Sequence, residues 1–184
     1  MDKSKNLIWV DTELTGLDFD KNKIVEIAVV VTDENLNILD KGLDLVIHQD
    51  EETLKNMDSW CVENFEKSGL TEKIRQSKIS INEAEKMILE YLKKWTERRQ
   101  NPICGNSVGQ DRKVLFREMP KFENEWASYR TLDVSSIKEL VKRWKSEVLD
   151  EVHKMKKNNH RAMDDILESI EELKIYRERF FNLD

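Results

Sequence analysis

The chain has 184 residues and a mass of 21.9 kDa, with 39% hydrophobic and 37% charged residues and a net charge of −6. One domain spanning residues 1–184 fits the usual ~100–200 residues per domain, and the supply of aromatic and aliphatic side chains excludes a chain too polar to bury a core. The acidic balance argues against broad binding of long duplexes, whose affinity comes from Lys and Arg neutralising phosphates, and the longest aliphatic run, Ile27 to Val31, falls far short of the ~20 residues that cross a bilayer.

Leu7 to Val10 reads as a first strand ending at Asp11, and Ile24 to Thr32 as a longer β-branched one interrupted by Glu26. Asp33 to Asn37 supplies turn residues, and Leu43 to His48 reads as a third extended piece. Thr53 to Glu66 is expected to be a helix stopped at Ser68-Gly69. Ser80 with Glu83 has the capping-box spacing, and Ile81, Ala84, Ile88, Leu92 and Trp95 follow on one helical face. Ile103-Cys104-Gly105 reads as a short strand, Asp111 to Met119 as a helix stopping near Pro120, Tyr129 to Val134 as a strand and Ser135 to Trp144 as a helix. The polar stretch Val152 to Asn159 reads as a mobile loop, and Met163, Ile166, Leu167, Ile170 and Leu173 mark the closing helix. Strands first and alternating helices after them imply an α/β fold: a mixed central sheet with helices on both faces. No leader pattern is visible at the N-terminus, so a cytoplasmic location is expected. Cys61 and Cys104 lack any Cys-x-x-Cys or Cys/His company and read as reduced, structural thiols.

Asp11 and Glu13 are separated by one residue, so an extended backbone sends both carboxylates to the same face. Like charges so close need protonation, hydrogen bonds or a cation, unless the strand end simply frays into water. Asp111 follows a strand and the turn Gly105-Asn106-Ser107, and Asp165 sits on the last amphipathic helix with His160 five residues before it. Singly, Asp111 and Asp165 are ordinary helix-start acids and His160 an ordinary surface histidine. Together they are four carboxylates and one titratable base from separated segments, the inventory of two-metal phosphoryl transfer.

Four blocks carry a family resemblance: Trp9-Val10-Asp11-Thr12-Glu13-Leu14-Thr15-Gly16-Leu17-Asp18; Cys104-Gly105-Asn106-Ser107 with Asp111; Tyr129-Arg130-Thr131-Leu132-Asp133-Val134-Ser135; and His160-Arg161-Ala162-Met163-Asp164-Asp165-Ile166. They resemble the oligoribonucleases, 3′-to-5′ exoribonucleases with four acids and a histidine in the ribonuclease H-like superfamily, over about Leu7 to Phe180. Thr15 to Asp18, Met57-Asp58 with Trp60, and the Tyr129-Arg130 block are similar to oligoribonucleases in particular. The resemblance implies that Asp11, Glu13 and Asp165 ligate metal, that Asp111 holds a second ion directly or through water, and that both ions are Mg²⁺ or Mn²⁺.

It further implies that neutral His160 takes a proton from the attacking water, so that activity falls below neutral pH. The substrates it implies are dinucleotides and very short RNA oligonucleotides. Arg130 has the planar fork to grip a terminal phosphate, and Ser107 and Ser135 offer hydroxyl donors, a ruler that would favour dinucleotides and very short oligoribonucleotides. Leu17 looks like an apolar wedge between bases and Trp60 like a stacking partner, while Tyr129 resembles the family residue that reaches into a neighbouring subunit and implies a homodimer. Without the resemblance, Leu17, Trp60 and Tyr129 read as core residues. Phe65 departs from the family, many members of which carry a histidine there. The alternatives are a 3′-to-5′ exonuclease for longer RNA or DNA, which needs the same acids, and a nucleotide-binding module or acidic scaffold without catalysis.

Overall fold

The computed structural model describes residues 2–156 and 161–182. Five strands, β1 (Leu7–Leu14), β2 (Ile24–Thr32), β3 (Leu43–Val46), β4 (Ile103–Gly105) and β5 (Thr131–Asp133), form one sheet in the order β3-β2-β1-β4-β5. The first three pair antiparallel, whereas β4 runs parallel to β1 and β5 parallel to β4. Around the sheet lie α1 (Glu51–Lys55), α2 (Ser59–Lys67), α3 (Leu70–Gln76), α4 (Ile81–Trp95), α5 (Gly109–Glu118), α6 (Val134–Trp144), α7 (Val148–Met155) and α8 (Ala162–Ile175). The mixed α/β sheet expected from the sequence is therefore present.

The period-2 alternation of β1 divides its side chains between two cores. Ile8 and Val10 pack with Ile88, Leu92, Val114 and Leu115 of α4 and α5, while Trp9 packs with Val141, Val152, Ile166 and Ile170 of α6, α7 and α8. Continuing that alternation, Asp11 and Glu13 leave on the α8 side and Thr12 on the α5 side. Burial of Trp9 is made tolerable by its indole Nε1, which donates to Thr32 Oγ1 at 3.0 Å. The Ser80–Glu83 capping box forms, fixing the start of α4.

Several boundaries differ from the sequence expectation, with β5 shortened from Tyr129–Val134 to Thr131–Asp133 and β3 from Leu43–His48 to Leu43–Val46, and three differences have a clear cause. β1 runs on to Leu14 instead of ending at Asp11, because β2 pairs with it through Glu13 and Leu14. The single helix expected over Thr53 to Glu66 is two, α1 and α2, with Asn56 to Asp58 between them. Asp58 is extended there (φ −60°, ψ 145°), and its backbone N–H donates to Thr15 O at 2.9 Å rather than into a helix. The polar stretch Val152 to Asn159 is not wholly a loop: α7 reaches Met155, and Val152 is fully buried under α8. One apolar position per turn sufficed, which the density of Lys and Asn concealed. Among the described residues, no helix is long and apolar enough to cross a membrane. Cys61 and Cys104 are buried free thiols, as read.

Candidate active site

β1 pairs with β4 only at Ile8–Ile103 and Trp9–Cys104, and then continues alone through Asp11 and Glu13 on that side. β4 and β5 leave the sheet just beyond, at Gly105 and Asp133. The carboxyl ends of three parallel strands thus open at one place, where open α/β sheets bind ligands. Gly105 is needed at this exit, since a Cβ on it would stand 2.8 Å from Val10 O.

α8 crosses the α8-side face of β1 and brings Asp165 to the first two acids. One ligand oxygen from each of Asp11, Glu13 and Asp165 lies within 4.8 Å of the others, with all three side chains half-buried. Burial pushes the Asp11 carboxyl well above its usual range, and the charges of Asp111, Asp165, Glu13 and Glu26 push the same way. Glu13 is raised to about 8 by burial, then by Asp165, Glu26 and Asp111, against a smaller downward pull from Arg161. Such a cluster holds protons or cations, and its all-oxygen donor set suits a hard divalent ion.

Asp111 arrives from the other side, in the first turn of α5. Its Oδ1 accepts from Thr12 N at 3.0 Å and Thr12 Oγ1 at 2.5 Å, which fixes it beside β1. Burial raises its pKa to about 6 even though those hydrogen bonds pull it down. Thr12, which sits between the two β1 acids in sequence, is thus the part that ties the fourth acid to them.

A fifth carboxylate was not singled out from the sequence. Glu26 is the direct cross-strand partner of Glu13 and is fully buried. Arg161 neutralises it through Nε and Nη2, with Nε 3.0 Å from both carboxylate oxygens, and Ala162 N adds a 3.4 Å contact at the start of α8. The signal available was an acid interrupting an otherwise apolar β2, which needs a buried cation somewhere in the chain.

Beside the acids is a cleft of about 360 Å³ lined by Thr12, Glu13, Leu17, Asp58, Trp60 and Cys61 among others. Leu17 is 80% exposed and Trp60 52% exposed, so neither is a core residue. Asp58 holds the Leu17 turn, its Oδ2 accepting from Leu17 N at 3.1 Å. Gly16 leaves room for that carboxylate, because a Cβ there would meet Asp58 Oδ2 at 2.2 Å.

Tyr129, 72% exposed, precedes β5, and the Arg130 guanidinium stacks 5.0 Å from its ring centroid. Arg112, one residue past Asp111, fixes this segment by donating to Ser128 O and Arg130 O, both at 3.0 Å, while paired with Glu123 at 2.6 Å. Ser107 Oγ and Ser135 Oγ are 3.1 Å apart, and Asp133 Oδ1 accepts from both backbone N–H groups at 3.0 and 2.9 Å. Phe65 is buried with Leu70 and Ile74 in the α2–α3 core, so this position presents no polar group to the cleft. His160, like Lys157 to Asn159, lies outside the described residues.

The model of the exonuclease family matches residues 8–173. The oligoribonuclease of Vibrio parahaemolyticus is 53% identical over 179 residues, covering 97% of each chain. Among solved structures, E. coli exonuclease I in complex with a dA16 oligonucleotide superposes with a TM-score of 0.75 at 16% identity, over 97% of this chain and 42% of that one. The Mg²⁺- and Mn²⁺-bound form of S. pombe Pop2p gives a TM-score of 0.74 at 15% identity, covering 96% of this chain and 84% of that one. These structural likenesses bear on the fold, and the sequence identity on the family.

Proposed function

Because the chain belongs to the exonuclease family, with the oligoribonucleases as relatives along its whole length, we propose that it is a metal-dependent 3′-to-5′ exoribonuclease acting on dinucleotides and very short RNA oligonucleotides. The observation that carries this reading is the meeting of Asp11, Glu13 and Asp165 within 4.8 Å beside a cleft edged by Leu17 and Trp60. Asp11, Glu13 and Asp165 would hold one divalent ion, and Asp111 with Asp11 would hold a second, as Mg²⁺ or Mn²⁺. Bound there, the ions supply an acidified water for attack on phosphorus and a counter-charge for the departing 3′ oxygen.

The remaining work belongs to the protein. Thr12 holds Asp111 against β1, so the fourth carboxylate keeps its distance from the other three. His160, in its neutral form, accepts the proton of the attacking water. Leu17 and Trp60 present apolar surface on which a base of any identity can lie. Arg130, with Ser107 and Ser135, grips a terminal 5′ phosphate and measures substrate length from it. Tyr129 projects from its own protomer into the site of a second copy, making the active form a homodimer.

The test compares initial rates on a 5′-phosphorylated diribonucleotide, its 5′-hydroxyl form and a twenty-mer. We expect mononucleotide release that stops with chelator or Asp11→Ala and is fastest on the phosphorylated dimer. Equal rates on the dimer and the twenty-mer would remove the length specificity, and release that persists in chelator would remove the metal chemistry.

A further inference from the structure

Glu172 is fully buried on α8, yet none of the chemistry above uses it. Burial works against its charge, but hydrogen bonds from Lys156 and Tyr176 hold its carboxyl below the usual range. Lys156 Nζ stands 2.7 Å from Oε2, Tyr176 Oη donates to Oε1 at 2.7 Å, and Lys138 Nζ lies 3.6 Å from Oε1. Asn106 is a further neighbour, whose Nδ2 donates to Glu172 Oε2 at 3.2 Å and to Ser169 Oγ at 2.9 Å.

From there the direction of every hydrogen bond is dictated. A carboxylate can only accept, and Ser169 spends its hydroxyl hydrogen on Asp165 O at 2.8 Å. The Asn106 amide nitrogen must therefore face α8, which turns its Oδ1 toward Ser135. Ser135 Oγ donates to that oxygen at 3.0 Å and accepts from Ser107 Oγ at 3.1 Å. Ser107 stands at the open end of the row, exposed and with a positive φ of 53°. Its hydroxyl hydrogen is given to Ser135, and it is the one hydrogen of the row that can turn to an incoming anion at the cost of that single terminal link, leaving the Ser135–Asn106–Glu172 bonds in place.

We propose that Glu172 is a positioning residue for recognition of a terminal phosphate: through Asn106 it commits the Ser135 hydrogen inward and so leaves Ser107 as the hydroxyl that turns to the anion. This rests on the assignment of Ser107 and Ser135 to the terminal phosphate. With the Ser135 hydrogen committed to Asn106, phosphate recognition exchanges only the exposed Ser107–Ser135 link for a bond to the anion and the rest of the row need not rearrange, and a buried charge fixes the Asn106 amide more firmly than a neutral group that can both give and accept. Through Ser169 the same row also touches the backbone carbonyl of Asp165, so it joins the serine pair to the helix that carries Asp165.

The measurement is the ratio of kcat/KM on 5′-phosphorylated to 5′-hydroxyl diribonucleotide, taken for the full chain and for Glu172→Gln. The ratio is expected to fall about tenfold, the scale of one weakened hydrogen bond to a charged group, mainly through KM for the phosphorylated form. Asn106→Ala should lower the ratio similarly, and the double variant should be no worse than the poorer single one, since both break the same row. Asn106→Ala also keeps the test open should Glu172→Gln fail to fold. Equal loss on both substrates, or additive losses in the double variant, would reduce Glu172 to a structural ion pair and overturn the inference. A starting protein without any preference for the phosphorylated dimer would overturn the phosphate assignment as well, whereas a preference that survives Glu172→Gln overturns this inference alone.

Discussion

At the residue scale the site is defined by carboxylates that oppose their own neighbourhood. Glu13 folds into a place where burial and the charges of Asp165, Glu26 and Asp111 lift its pKa to about 8, from the 4.5 of a free side chain. Without metal the folded state keeps a proton on Glu13 that the unfolded chain releases above about pH 4.5. The stabilisation linked to that proton is complete below pH 4.5 and drains away as the pH rises through about 8. In chelator, Glu13→Gln should gain stability relative to the parent protein between pH 5.5 and 8, read as a growing gap between urea midpoints. Adding Mn²⁺ should reverse the gap, because only the parent carboxylate has a charge for the ion. A gap that stays constant with pH would mean that Glu13 titrates normally.

At the element scale, the start of α8 shows how a helix without a side-chain cap is held in register with a sheet. The Arg161 side chain, just before α8, makes no cap hydrogen bond to the helix. Its guanidinium instead grips Glu26 on β2, opposite Glu13, so the helix that delivers Asp165 is anchored one strand away from the acids it must meet. Removing one partner of a buried pair leaves an uncompensated charge and costs about 3–5 kcal/mol. Arg161→Met should therefore lower the unfolding free energy by about that amount, while the double variant Arg161→Met with Glu26→Gln recovers most of it. Chemical denaturation of the three proteins checks this, and a double variant as unstable as the single one would show that packing rather than charge holds the helix. The split between α1 and α2 has a similar local cause. Asp58 serves the Leu17 turn with both its N–H neighbourhood and its carboxylate, and a helix running through it would lose the turn.

At the scale of the whole molecule, the exposed aromatics set the question of assembly. Tyr129 is 72% exposed on a segment braced by Arg112, so its ring is available to a second copy of the chain. A homodimer in which Tyr129 works in trans predicts a solution mass of twice 21.9 kDa. It also predicts that mixing inactive Asp11→Ala with impaired Tyr129→Ala regenerates activity, because the mixed dimer holds one site with all four acids and a partner tyrosine. No regain on mixing, with exchange of subunits verified, would confine Tyr129 to its own protomer.

Much of this organisation was legible in the sequence. The alternation of β1 put Asp11 and Glu13 on one face, the capping box fixed α4, and the turn after Gly105 announced an exit from the sheet, because each is a short-range consequence of backbone geometry. The residues that join one segment to another were not legible: Thr12 to Asp111, Arg161 to Glu26, Arg112 to the Tyr129 segment, and Asn106 to Glu172. Those partners lie far apart along the chain, and nothing local says which buried acid a given cation or amide will meet. The sequence by itself determined which chemical groups the site has and which strand and helix ends carry them. Only the tertiary structure decided their distances and charges, since these depend on α8 crossing β1 and on how much water that crossing excludes.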